Sequence, residues 1–464
     1  MGRPHLYRLA AAHYHRPENL PPPLLECAYA SLSPKTLGDA SASIESALIT
    51  PVKLLLTHPT GNANVRSTAE ACDDAGLLKT FATTVAAFDN NIFGRLSNTN
   101  IGSSFNRRRY SNSLQSKTLQ FPLRELVRML TDKLGWSSLS RHEVGVFSVQ
   151  QVYEALDRAV ATELKRNTYD AVYAYEDGAR ESFIAAKAKQ IRTIYDLPTG
   201  YWRTAKRIFS EEAVLQPDWV QTMPALIDSP QKLERKDEEL RAADQIIVAS
   251  EFTANTLRDA PFELPTPIII PYGCPTTPIS DQQVDRVSHD KLRVLFVGNL
   301  SQGKGIAYLL DAVEQLGSAV ELTLIGRRVG QCARLDRALE KHHWIDSLPN
   351  AQVLEAMRTH DVLAFPSIFE GFGMVISEAL SQGIPVITTP NTCAPTLMKD
   401  GKSGFIVPIR DGIAIAEKLE QLHQDRDLLQ QMKTAALEVA KKNTWANYQS
   451  QLVHALTANT GITL

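Results

Sequence analysis

The sequence lacks a charge bias, a cysteine framework and a long apolar run. Its 464 residues carry 49 Lys and Arg against 51 Asp and Glu, a formal net charge of −2. No global field therefore draws it to nucleic acid or to an anionic surface, and any basic patch has to be local. Five cysteines, Cys27, Cys72, Cys274, Cys332 and Cys393, are scattered without a Cys-x-x-Cys pair. That argues against a disulfide scaffold or a thiolate metal site and for the reduced thiols of a cytoplasmic protein. No apolar run reaches the roughly 18 residues of a membrane span, and the N-terminus has no signal-type apolar core. The expectation is a cytoplasmic protein, at most peripheral to the inner face of a membrane. With 44% hydrophobic residues the chain can fill two cores of about 200 residues each.

Residues 1–50 differ in composition from the rest of the chain. Pro21, Pro22 and Pro23 run together and a Ser- and Ala-rich stretch comes after them without period, which reads as a poorly ordered extension. Arg3, Arg8 and Arg16 precede the first acid, Glu18, and leave a transit peptide as the alternative. From residue 52 strand and helix patterns alternate. VKLLLT (52–57) is a buried strand, and HPTGNANVR makes a turn around Gly61 and Asn62 before a helix that ends near Gly76. His58 either faces a cleft or caps the strand end. Between 92 and 130 the period is lost, and Arg95, Arg107, Arg108, Arg109, Lys117, Arg124 and Arg128 stand against the single acid Glu125. Interleaved with Phe93, Phe105, Tyr110 and Phe121, these charges suit an anionic glycan, an anionic membrane or a solvated loop.

The alternation resumes with a helix over 149–164, whose Val149, Val152, Leu156 and Val160 share one face. Short β-rich runs come next at 171–175, 191–195, 245–249 and 266–270, with Ser250 placed to cap the helix after the third. A polar passage over 271–290 leads to a second start of the same kind, with strands at 292–298 and 321–325; 414–456 is largely helical. Strands alternating with helices predict parallel, doubly wound sheets.

The most informative stretch is AFPSIFEGFGMVISEALSQGIPVITT, 364–389. It reads as a buried strand, a loop with Glu370, Gly371 and Gly373, a helix from about Met374 to Gln382 and a second strand from Ile384. Bare backbone N–H groups at a helix N-terminus favour an anion, and a phosphate would fit there. Glu370 and Glu378 are too far apart to grip one atom. They suit hydroxyls at the two ends of an extended ligand whose phosphates lie between them. Closer to the N-terminus, FVGNLSQGKGIAYLL brings Gly298, Asn299, Gly303 and Lys304 between a strand and a helix.

These two stretches together resemble the donor site of family 4 retaining glycosyltransferases, with its Glu-x7-Glu motif. The resemblance implies a GT-B fold, two Rossmann-like doubly wound domains facing across a cleft. It also implies an acceptor domain over 51–285, a nucleotide-sugar domain over 286–440 and a C-terminal helix over 441–464 crossing back to the first domain. It further implies that Glu370 meets sugar hydroxyls, Glu378 meets the ribose, and Lys304 neutralises the leaving diphosphate. Gly371, Phe372, Gly373, Met374, Val375, Gly298, Asn299, Gly61 and Asn62 would complete donor binding. The family's second phosphate-binding cation, an Arg, is missing here; Asn299 and Gly303 stand where it is often placed. In the first domain Glu176 and Asp177 occupy the region where the family often carries a His near the reacting sugar. The implied activity is metal-independent transfer of a sugar, with retention, from a nucleotide-diphosphate sugar to a glycan, lipid-linked or small-molecule acceptor, with no further cofactor.

Rival readings remain open. Gly298, Gly303 and Lys304 have the spacing of a Walker A loop, but Gly305 stands where Ser or Thr should hold magnesium. A nucleotide-sugar binder without catalysis is a further alternative. A glycosidase could use Glu370 and Glu378 as its carboxylate pair, yet would not need a phosphate loop. His342 and His343 are adjacent, cannot share one face, and read as loop residues rather than metal ligands.

Overall fold

The computed structural model describes residues 52–97, 103–276 and 290–458. The extension over 1–50 lies outside them. Two parallel sheets organise the rest. The first holds β1 (Leu54–Thr57), β2 (Leu78–Thr83), β3 (Thr118–Gln120), β4 (Ala171–Tyr175), β5 (Arg192–Leu197), β6 (Gln245–Val248) and β7 (Ile268–Ile269), in the order β3-β2-β1-β4-β5-β6-β7. The second holds β8 (Leu292–Val297), β9 (Val320–Ile325), β10 (His343–Ile345), β11 (Val362–Phe365), β12 (Val386–Thr388) and β13 (Gly404–Ile406), in the order β10-β9-β8-β11-β12-β13.

Every residue of β1, β4, β6 and β11 is buried, as expected of strands covered by helices on both faces. In each sheet the strand order reverses once next to the first strand, between β1 and β4 and between β8 and β11. In open parallel sheets ligands bind outside the carboxyl ends of the strands at such a switch point. Glu176 and Asp177 follow β4, His58 follows β1, the 298–304 loop follows β8, and the 366–373 loop follows β11. Neighbouring strands in space thus gather loops that are far apart in sequence.

The C-terminal helix Trp445–Thr457 returns to the first sheet's side. Its Tyr448 hydroxyl lies 2.8 Å from Thr68 Oγ1, and its Ala455 and Leu456 carbonyls accept from Gln245 Nε2 at 3.1 Å and Arg192 Nη1 at 3.0 Å.

Four expectations need correction. The helix Val149–Arg166 forms, with Val152, Leu156 and Val160 buried, but Val149, its first residue, is exposed. The strand expected over 266–270 is reduced to the two residues of β7, an edge with one neighbour. His343 is in β10, paired in parallel with Thr323, so it belongs to an edge strand, not a loop. The basic stretch over 92–130 is no open loop either. Arg108 is buried against Glu125, which also takes Arg128; Arg109 pairs with Asp89 and Lys117 with Asp73 at 2.5 Å. Four of its seven cations are thus spent on ion pairs, two with Glu125 inside the stretch and two with acids outside it.

Candidate functional site

The 366–373 loop is held by its own strand neighbours before it meets any ligand. Glu370 N–H donates to the Asn391 carbonyl, while Ser367 Oγ and the Ile368 N–H both reach the Gly303 carbonyl, tying this loop to the one that carries Lys304. Gly373 has φ +80° at the N-cap of the helix Met374–Ser381, a left-handed conformation that favours glycine. Among the described residues, the N–H groups of Gly371, Phe372 and Gly373 have no hydrogen-bond partner. Three consecutive free donors at the positive end of a helix make an anion nest.

Charge surrounds that nest. Lys304 forms an ion pair with Glu370, their side chains only 25% and 18% exposed. Glu378 is half-buried on the helix, and Asn350 Nδ2 donates to its Oε1 at 2.8 Å. Burial raises the Glu378 carboxyl above its usual range, and the Asn350 hydrogen bond only partly opposes this. Glu370 and Glu378 thus have different partners, a lysine for the first and an amide for the second.

The loop after β8 cannot serve as a Walker cradle. The N–H groups of Leu300, Ser301, Gln302, Lys304, Gly305 and Ala307 donate to protein acceptors: the Arg327, Asn299, Ser301 and Gln302 carbonyls, Thr222 Oγ1 and Gln302 Oε1. Few donors remain to wrap a phosphate, and the lysine points to Glu370. Gly305 has φ +70°, and a methyl group there would run into the Pro366 carbonyl. A Ser or Thr at this position would break the contact between the two loops. Asn299 lies beside Arg327 in the extension of the β8–β9 ladder, where Leu300 N–H donates to the Arg327 carbonyl at 2.8 Å. Both side chains are exposed, and that of Arg327 has no partner among the described residues.

The first domain packs directly on this site. Gly371 touches Pro198 and Thr199 so closely that any side chain would collide with their backbone. Its carbonyl accepts from Ser250 Oγ at 2.5 Å and Thr253 Oγ1 at 3.0 Å. Phe369 inserts between Phe209 and Phe252, ring centroids 5.7 and 5.2 Å away. Buried Glu212 of the first domain accepts from Gln302 Nε2 at 2.7 Å, the Tyr308 hydroxyl at 3.0 Å and Arg410 Nε at 2.8 Å. A cavity of about 290 Å³ is left between the domains, walled by Thr199, Trp202, Lys206 and Lys236 on one side and by Lys304, Glu370 and Gly371 on the other.

Glu176 and Asp177 do not line this cavity; they stand behind it. Glu176 lies 3.1 Å from the Lys236 ammonium and accepts from Thr199 Oγ1 at 3.2 Å, while Asp177 lies 3.6 Å from the same ammonium. Burial alone would lower Lys236, but Glu176 and Asp177 outweigh it and hold the ammonium above the usual lysine range. Burial also raises Glu176. Lys236, on the helix Pro230–Arg241, is therefore the group that these acids present to the cavity. Nothing in its helical surroundings marks it in the sequence.

The β1 loop is also set back. His58 is buried against Tyr175 and Tyr153, ring centroids 4.8 and 5.8 Å away, with Nδ1–H donating to the Thr60 carbonyl at 2.5 Å. Burial lowers its pKa to about 4, so the ring is neutral at pH 7. Gly61 is walled in by the Arg107 carbonyl and the Tyr110 hydroxyl and has no left-handed φ, so close packing rather than a hinge explains the glycine. Neither Gly61 nor Asn62 lines the cavity. Among the described residues His142, Glu143 and Asp228 come within metal-binding distance of one another. Lys232 Nζ already sits 2.9 Å from Asp228, where a cation would go.

Comparison with known proteins bears on the site from two directions. Structurally, sucrose-phosphate synthase of Thermosynechococcus elongatus superposes over 88% of this chain and 99% of its own, with a TM-score of 0.62 and 17% identity. HepE of Anabaena, solved in complex with UDP, does so over 88% and 100%, with a TM-score of 0.58 and 16% identity. The fold is GT-B. In sequence, residues 280–439 match the family profile described as glycosyl transferases group 1. D-inositol 3-phosphate glycosyltransferase of Corynebacterium diphtheriae is 33% identical over 172 residues, 34% of this chain and 40% of that protein. Phosphatidyl-myo-inositol mannosyltransferase of Mycobacterium leprae is 30% identical over 167 residues, 34% of this chain and 45% of that protein. The chain thus matches less than half the length of these relatives.

Proposed function

We propose that this protein is a retaining glycosyltransferase that moves a sugar from a nucleotide-diphosphate sugar to an acceptor hydroxyl without a metal. The observation that carries the proposal is the anion nest of Gly371, Phe372 and Gly373, set between Glu370 and Glu378 with Lys304 beside it. The group 1 match over 280–439 and the sugar-transferring relatives support it. UDP in the HepE complex makes a uridine nucleotide the first donor to try.

In this reading the Lys304–Glu370 pair exchanges partners when the donor enters. Lys304 turns to the diphosphate, Glu370 is released to the sugar hydroxyls, and Glu378 accepts from the ribose. Arg327, next to Asn299, supplies the second cation. The departing phosphate oxygen takes the acceptor proton, so no strong protein base is required, and stabilisation of the leaving diphosphate by fixed donors supplies most of the rate. Met374 and Val375 extend the nest, and Gly298 with Asn299 borders the diphosphate. Gly61 and Asn62 reach the ligand only if the first domain shifts.

The test is calorimetry with a panel of nucleotide-sugars, followed by a transfer assay. Donor binding lost in Lys304→Ala together with transfer, and no hydrolysis of ATP with magnesium, is the expected result. Magnesium-dependent ATP turnover would reinstate the P-loop reading, and donor binding without turnover on any acceptor, water included, would make this a non-catalytic binder.

A peripheral membrane contact of a cytoplasmic enzyme belongs to the same proposal, but its support shifts from the arginines to apolar side chains. Among the described residues no helix is long and apolar enough to span a membrane. The amphipathic helix Leu123–Lys133 nevertheless exposes Leu123 and Leu130, and Leu134, Trp136, Val144 and Val146 after it are exposed as well. Such a surface with Arg124 and Arg141 at hand suits an anionic interface.

A further inference from the structure

We propose that the acceptor carries an anionic group, a phosphate or a carboxylate, and that Lys206 binds it. The proposal deepens the transfer reading and relies on it only for the direction in which the groove is used. Trp202, Ala205, Lys206 and Phe209 recur at i, i+3, i+4 and i+7 along the helix Trp202–Leu215, so they share one face. That face walls the 290 Å³ cavity whose far end is Lys304 and Glu370. A second cavity of about 350 Å³ continues outward between this helix and Pro230–Arg241, and the two share Trp202, Lys206, Asp228 and Leu233. A molecule lying along them has one end at Lys304 and Glu370 and the other at the open surface. Lys206 stands at the junction.

The charges along this path nearly all have partners. Lys236 is held by Glu176 and Asp177, Lys304 by Glu370, and Asp228 by Lys232 and His142. Arg203 pairs with Asp237 at 2.5 Å and lies 4.2 Å from the centre of the Trp202 ring, whose N–H also donates to Asp237 at 2.7 Å. The Trp202 wall is therefore fixed. Lys206 alone among the charged residues of the inner cavity has no hydrogen-bond or ion-pair partner among the described residues. Two further charges without a hydrogen-bond or ion-pair partner among the described residues, Glu234 and Arg241, line only the outer groove, and Arg241 lies over the Phe262 ring. Lys206 is exposed at this junction, with Phe209 and Leu233 lining the same cavity, so its ammonium is open to an incoming anion. A neutral acceptor gains only a hydrogen bond from this ammonium, an anionic one gains the ion pair as well, and a cationic one is repelled.

The experiment is lysine acylation of the full chain, read residue by residue by mass spectrometry without donor. It is run with inorganic phosphate, glucose 6-phosphate, glucuronate or glucose, and with vesicles that contain or lack a polyprenyl phosphate. Affinities for the sugar phosphate are then measured on Lys206→Ala and Lys206→Arg. The expected result is protection of Lys206 by an anion and not by its neutral counterpart, with a roughly tenfold to hundredfold weaker affinity in Lys206→Ala and recovery in Lys206→Arg. Protection by the soluble anions or only by the lipid phosphate identifies the source, and either supports the proposal. Equal protection by glucose and glucose 6-phosphate and by both kinds of vesicle, or unchanged affinity in Lys206→Ala, overturns it. A parallel titration with nucleotide-sugars separates the two readings, since failure of donor binding removes the transferase and leaves the anion result standing.

Discussion

Glu378 and Glu370 carry different loads, and single substitutions separate them. Glu378 holds no charge partner, only the Asn350 amide, so Glu378→Ala leaves no buried cation behind. Hydrogen bonds to a charged group are worth about 1.5–3 kcal/mol, so donor affinity should fall roughly tenfold to a hundredfold with the fold intact. Calorimetry showing wild-type affinity would remove the ribose assignment. His58 offers a pH test. Its pKa is about 4 in the folded chain against 6.5 unfolded, so the stabilising effect of the neutral buried ring is present above pH 6.5 and is lost as pH falls toward 4. That shift corresponds to about 3 kcal/mol. His58→Gln, whose amide can still donate to the Thr60 carbonyl, should flatten the loss of stability between pH 6.5 and 4 in denaturant titrations. An unchanged slope would mean that other groups govern acid unfolding.

At the level of elements, the turn before the helix Met374–Ser381 serves two purposes at once. Its free N–H groups await an anion, and its Gly371 peptide is wedged between Pro198, Ser250 and Thr253 of the other domain. Gly371→Ala should therefore force the domains apart at the site, costing about 1–3 kcal/mol and most of the transfer activity, while the backbone nest itself tolerates the methyl group. Wild-type melting and turnover would show that the interface yields easily. The Leu123–Lys133 helix gives the matching test for the membrane. Replacing Leu123 and Leu130 with Ser should weaken binding to anionic vesicles and leave stability within about 0.5 kcal/mol, as for exposed positions generally. Arg108→Ser should instead unfold the region, because removing one partner of a buried ion pair costs about 3–5 kcal/mol. Vesicle binding equal to wild type in the double Leu variant would leave the apolar face without this role.

For the whole molecule, Ile49–Leu464 groups as one compact unit, and the Glu212, Phe369 and Trp445 contacts lock its two sheets together. A nucleotide-sugar bound in the cleft should then raise the melting of the entire unit in one step, adding about 2.7 kcal/mol at a hundred times its dissociation constant. Two separate transitions, only one of them ligand-dependent, would show that the halves unfold independently. What the sequence determined by itself was local: alternating strands and helices, the glycine turn before Met374, and the spacing that sets Glu370 against Glu378. Apolar period and turn chemistry act between near neighbours, and most of these elements formed where those patterns placed them, the short edge strands β7 and β10 excepted. Tertiary structure decided the rest. Lys236 and Lys206 reach the cleft from helices without any motif, Glu176 and Asp177 withdraw behind Lys236, and Arg108 finds Glu125. Ion pairing, burial and cleft walls depend on which strands lie side by side and on how the two halves pack, and this brings together residues far apart along the chain, as Arg410 and the Ile208 carbonyl show, 202 positions apart and 2.9 Å from each other.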